Sequence, residues 1–173
     1  MINIIKDFKQ KPLIDAKFIS THLVSYEQNG VEKDWEVVEA HDSVAILVYH
    51  KHKSSFVLVK QFRPAVYLKN ADGLTVELCA GIVDKDLSLV QIAKEEVEEE
   101  CGYSVSIENI EKISSFYTSV GFAGSKQTLY YAEVDDDIKV SDGGGIDNEQ
   151  IEVIYMSTDS AKEFIFDFSS RQK

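Results

Sequence analysis

Five glutamates crowd into six positions, Glu95, Glu96, Glu98, Glu99 and Glu100, and their spacing decides what chemistry they can do. On a helical wheel of about 100° per residue, Leu89, Ala93, Val97 and Cys101 form an apolar stripe. Glu95 and Glu98 fall away from it, where carboxylates are solvated and simply favour helix. Glu96 and Glu100 fall beside or inside the arc of Leu89 and Ala93, and Glu99 flanks it next to Ile92. Carboxylates four residues apart repel each other. Set against a core, they are costly unless paired or bound to a metal. An oxygen-only cluster suits Mg²⁺ or Mn²⁺ rather than Zn²⁺, and a hard cation held this way suits cleavage of phosphate esters or anhydrides.

The elements that must position these groups can be read around them. A helix is expected over residues 88–101, with Gly102 as its left-handed cap. Upstream, strands over 16–26 and 35–39 flank a hairpin turn at Asn29-Gly30. Residues 44–49 are continuously apolar, the pattern of a strand covered on both faces. A second such strand over 56–59 would pair with it antiparallel, and a third is expected over 74–78. Beyond the helix, strands over 110–117 and 127–134 enclose a loop with Gly121 and Gly124. A long acidic loop, 135–150, carries Gly143, Gly144 and Gly145. A last strand over 151–156 and a helix over 157–168 complete a mixed α/β or α+β sheet flanked by helices.

Composition narrows the function. The chain of 173 residues has 30 acidic against 18 basic side chains, a formal net charge of -12. No Lys/Arg stripe could follow a nucleic-acid backbone, so nucleic acid is not expected as a partner. Binding a phosphorylated small molecule then requires local arginines or divalent cations. Two cysteines, Cys79 and Cys101, make no disulfide framework and read as small buried side chains. The N-terminal residues are broken by charges, and no run approaches the ~18 apolar residues of a membrane span. No membrane partner and a cytoplasmic location are the expectation.

The run from Gly81 to Tyr103, with Glu96, Glu99, Glu100 and Gly102 at fixed places, resembles the Nudix box. That resemblance implies a Nudix fold, a mixed sheet sandwiched between helices, with a small N-terminal antiparallel sheet. It makes Glu96, Glu99 and Glu100 metal ligands, joined by the backbone carbonyl of Ala80. Two positions depart from the box: Leu87 stands where the family has a glutamate, and Glu95 where it has arginine. The segments around Trp35, His41, Val59 to Tyr67, Val76 to Gly81 and Val120 to Thr128 are similar to the branch acting on ADP-ribose and nucleotide sugars. They lie closest to the uridine diphosphate glucose pyrophosphatases. A C-terminus shorter than is usual for that branch is also implied.

The implied activity is Mg²⁺-dependent hydrolysis of the diphosphate bond of a nucleoside diphosphate sugar, UDP-glucose going to UMP and glucose 1-phosphate. Mn²⁺ is the other cation considered. Two further readings stay open at this point: an ADP-ribose diphosphatase, and a nucleotide-sugar-binding protein without turnover, the latter resting on Glu95. Arg63 is expected to grip the diphosphate through its guanidinium fork. Glu77 is expected on the metal or substrate side, and Trp35 to stack on base or ribose. Glu149, Asp147 and Glu99 are candidates for activating water, with the loop glycines letting residues 135–150 close over substrate. Residues 1–41 read as a dimerisation segment and 42–173 as the hydrolase domain, so a homodimer is expected by analogy.

Overall fold

The computed structural model describes residues 5–166. Two long strands come first, β1 (Ile19–Gln28) and β2 (Val31–Ala40), paired antiparallel along their full length. Asn29 (φ 55°) and Gly30 (φ 78°) turn the chain between them. Positive φ at both central residues is what a two-residue hairpin of this hand requires, and Asn-Gly supplies it at low cost. β2 runs further than the expected 35–39 and β1 lies later in the chain than the expected 16–26, because their residues are largely exposed and lack a clean alternation.

A seven-stranded mixed sheet follows. Its centre is β3 (Ser43–His50), which pairs parallel with β8 (Lys126–Val134) and antiparallel with β4 (Ser55–Phe62). The unbroken apolar run of β3 is explained by burial: Val44, Ile46 and Val48 are fully enclosed. On its other side β8 pairs with β7 (Ile110–Tyr117). β4 also pairs with β9 (Glu152–Ser157).

The sheet splits between β3 and β4, and this split makes the site. The two strands pair only at one end, Val48 to His50 against Val57 to Ser55. Past that point β5 (Leu74–Glu77) continues beside β4, while β6 (Cys79–Ile82) continues beside β3. The chain crosses the gap at Leu78. The sequence pattern suggested one strand over 74–78 and missed β6, whose Ala80-Gly81 centre has weak strand preference. It also missed α1 (Pro64–Asn70), a helix too short for a periodic signal, although proline sits at its first position.

The glutamate helix is α2 (Leu89–Cys101), packed against β6, β3 and β4. Ser88 caps its N-terminus in a reciprocal box with Gln91, and Gly102 (φ 80°) ends it. Ile92, Ala93, Val97 and Cys101 are buried and join the core from β3 and β4. Each such side chain contributes on the order of 1.5–3 kcal/mol of burial free energy. α3 (Thr158–Phe166) lies on β9 and β4; the expected helix end at 168 lies outside the described residues. No helix among the described residues is long and apolar enough to cross a membrane.

Candidate active site

Glu96 and Glu100 occupy the inner face of α2, as the wheel requires: Glu100 is buried and Glu96 half-buried. The Ala80 backbone N–H, on β6, donates to Glu100 Oε2 at 2.9 Å, which fixes the carboxylate over the sheet split. Gly81 faces Glu96 so closely that a Cβ there would run into its carboxylate. Only glycine leaves that space open. Burial, with Glu100 and Glu99 nearby, pushes Glu96 up to about 7; burial also pushes Glu100 up to about 7, against the Ala80 hydrogen bond. Two carboxylates are thus driven to hold protons that a cation would replace.

Glu99 is half-buried on the flank of this pair and adds its charge to Glu96. Among the described residues, no three acidic, imidazole or thiol side chains converge into a ready-made metal cage. The donor set still fits a small hard cation, because Mg²⁺ commonly takes only one or two carboxylates and completes its shell with water and substrate oxygens. Glu96 and Glu100 offer carboxylate oxygens at one place, with Glu99 beside them and the Ala80 backbone against Glu100.

Across the split, Arg63 sits at the cap position of α1 with its backbone N–H bonded to the Gly73 carbonyl at 2.7 Å. Its guanidinium forks onto Glu77, and Glu100 and Glu149 also act on its charge. The 135–150 loop reaches the same place by capping α2. Gly144 N–H donates to the Glu100 carbonyl at 2.9 Å and Gly145 N–H to that of Glu99 at 3.0 Å. A Cβ on Gly143 would strike the Glu100 carbonyl. The glycines therefore let the loop dock on the glutamate helix. Glu149 Oε2 accepts from the Ile146 N–H at 3.0 Å and adds its charge to both Glu96 and Glu100. Asp147 is exposed at φ 53° and has no hydrogen bond or ion pair among the described residues.

Glu95 is not simply solvated. Lys85, from the turn before α2, donates to its Oε2 at 2.7 Å, so a lysine–glutamate pair stands where the box would have its arginine. Trp35 lies half-exposed on β2, its indole N–H donating to the Gly121 carbonyl at 2.8 Å. The structure gathers Arg63, Glu77, Ala80, Glu96, Glu99, Glu100 and Glu149 and gives Trp35 other neighbours. Thr75 and Gln61, which hold Glu77, carry no spacing signal and were missed.

Residues 39–172 match the NUDIX domain, a span that includes every one of these groups apart from Trp35. The chain belongs to the Nudix family. Similarity to named pyrophosphatases runs through most of the chain. Uridine diphosphate glucose pyrophosphatase of Bos taurus is 39% identical over 171 residues, covering 82% of this chain and 77% of that protein. GDP-mannose pyrophosphatase of Cronobacter sakazakii is 40% identical over 129 residues, covering 74% and 66%. GDP-mannose pyrophosphatase of Salmonella typhimurium is 33% identical over 170 residues, covering 95% and 85%. The chain is a Nudix hydrolase, of a family that works with divalent metals in general.

Proposed function

We propose that this Nudix hydrolase cleaves the diphosphate bond of a nucleoside diphosphate sugar, UDP-glucose first among them, with Mg²⁺ as its cation and Mn²⁺ as a substitute. The observation that carries this reading is the carboxylate pair of α2, Glu100 buried and Glu96 half-buried, with the Arg63–Glu77 pair near Glu100 across the split sheet. The names of the relatives, one acting on a uridine and the others on a guanosine diphosphate sugar, support the substrate class.

In this proposal Glu96, Glu99, Glu100 and the Ala80 carbonyl hold the metal. A bound divalent cation would neutralise diphosphate charge and lower the pKa of an attacking water. Arg63 grips the bridging phosphates and stabilises charge on the departing one. Glu149, beside the glutamate pair, takes the proton from the water; Asp147 is the alternative base, with its exposed position counting against it. Glu77 serves the substrate side through Arg63. Trp35 would contact the base only across a subunit boundary.

That last point belongs with a homodimer built from residues 1–41 beside a hydrolase domain of 42–173. A lone two-stranded sheet is marginal in water, and β1 and β2 expose Leu23, Val24, Tyr26, Val31 and Trp35. A second copy covering them is the reading we favour. Cys79 and Cys101 are both free and buried, which suits the reducing cytoplasm. Neither nucleic acid nor membrane has a place in the proposal, given the net charge of -12.

The test is hydrolysis of UDP-glucose, UDP-galactose, GDP-mannose and ADP-ribose with and without Mg²⁺, with products resolved by chromatography. Metal-dependent release of UMP and sugar 1-phosphate is expected. AMP and ribose 5-phosphate as the main products would move the substrate to ADP-ribose.

A further inference from the structure

Glu77 is not free to meet a ligand, because both of its oxygens are taken. Arg63 Nε donates to Oε1 at 2.8 Å and Nη2 to Oε2 at 2.5 Å. Thr75 Oγ1 donates to Oε1 at 2.5 Å, and Gln61 Nε2 to Oε2 at 3.4 Å. Strand register produces this arrangement. Thr75 and Glu77 stand two apart on β5 and so share a face, and Gln61 on β4 is the cross-strand partner of Thr75. Arg63 follows two residues after Gln61, anchored by its own backbone to Gly73. Arg63 Nη1 has no hydrogen-bond partner among the described residues.

We infer that Thr75 and Gln61 are positioning residues for Arg63: they fix Glu77, Glu77 holds the Nε and Nη2 edge, and Nη1 is presented to the substrate diphosphate. This inference rests on the proposed role of Arg63. Arginine loses much rotamer freedom when it is immobilised. Holding it on a carboxylate, itself held by a hydroxyl and an amide, places that loss in folding rather than in binding. The Glu77 carboxylate is kept ionised for the task by Arg63 and Thr75, although burial works against it.

The experiment compares kcat and KM, on the nucleotide sugar that the wild type hydrolyses best with Mg²⁺, for Thr75→Val, Thr75→Ser, Gln61→Leu, Arg63→Ala and the double variant Arg63→Ala/Thr75→Val. The Arg63 Nε–H proton exchange rate is followed by NMR, its signal assigned by loss in Arg63→Ala. Thr75→Val is expected to lower kcat/KM about tenfold, the scale on which supporting hydrogen bonds act. Its effect should fall mostly on KM, with faster Nε–H exchange and an unchanged melting temperature. Thr75→Ser restores both readouts, Gln61→Leu gives a smaller loss, and the double variant is no worse than Arg63→Ala. Unchanged kcat/KM and exchange in Thr75→Val, or additive losses in the double variant, would overturn the inference while leaving Arg63 in its role. An Arg63→Ala enzyme as active as the wild type would overturn the role of Arg63 itself, and the inference with it.

Discussion

At the residue scale the decisive fact is that Glu96 and Glu100 are carboxylates where a core would prefer carbon. Both are raised from an ordinary 4.5 to about 7, so the folded state binds protons more tightly than the unfolded chain. Their contribution to stability is fully present below about 4.5 and is lost as pH rises through about 7. The metal-free protein should therefore melt at a falling temperature as pH rises from 4.5 through about 7. Mg²⁺ should restore the loss at the alkaline end more than NaCl of equal ionic strength does; scanning calorimetry checks both. Glu100→Gln keeps an acceptor for the Ala80 N–H but removes the charge. It should cost more than about a hundredfold in turnover, since even outer supports of a metal site cost 10–100-fold. It should also raise the metal-free melting temperature at the alkaline end only. Glu95 has its own partner in Lys85. Glu95→Arg alone would set like charges together, and Lys85→Glu/Glu95→Arg should recover most of the lost activity. The stability effect of so exposed a pair stays below about 1 kcal/mol.

At the scale of elements, α2 and the 135–150 loop behave as one unit. The loop satisfies carbonyls at the C-terminal end of α2, groups that any helix leaves open. Glu149 and the α2 glutamates are thereby held in register. Gly143→Ala tests this: at φ 68° and against the Glu100 carbonyl, a methyl group should cost about 1–3 kcal/mol and push Glu149 out of place. Turnover should fall further than binding of substrate, measured as kcat against KM. A variant with wild-type kcat would detach Glu149 from the chemistry. How legible each element was depends on its length and burial. α2 was placed to within one residue, because thirteen residues give the helical period room to show. α1 was missed because its seven residues leave that period little room, and β6 because four residues centred on Ala80-Gly81 give little strand signal.

At the scale of the molecule, the N-terminal sheet touches the hydrolase body through few groups. These include the Trp35 indole on Gly121 and the Val38 N–H, which donates to the Phe122 carbonyl at 2.7 Å. Leu23, Val24, Tyr26, Val31 and Trp35 of β1 and β2 remain exposed. If a second copy covers them, Leu23→Asp should convert a dimer to a monomer in size-exclusion chromatography with light scattering, and lower the affinity for substrate. A wild type that is monomeric at micromolar concentration would remove residues 1–41 from the assembly and Trp35 from the substrate site.

The sequence alone determined which residues hold charge on an apolar face, because helical period and side-chain chemistry are local properties. Glu96, Glu100 and their glycines are legible for that reason, as is the family they signal. Only the tertiary structure decided what those charges meet. The split between β3 and β4 brings Ala80 against Glu100, and the cross-strand register sets Gln61, Thr75 and Glu77 around Arg63. The docked glycine loop sets Glu149 beside the pair. Such neighbours lie far apart in the chain or follow from strand register, and no spacing in one dimension encodes them.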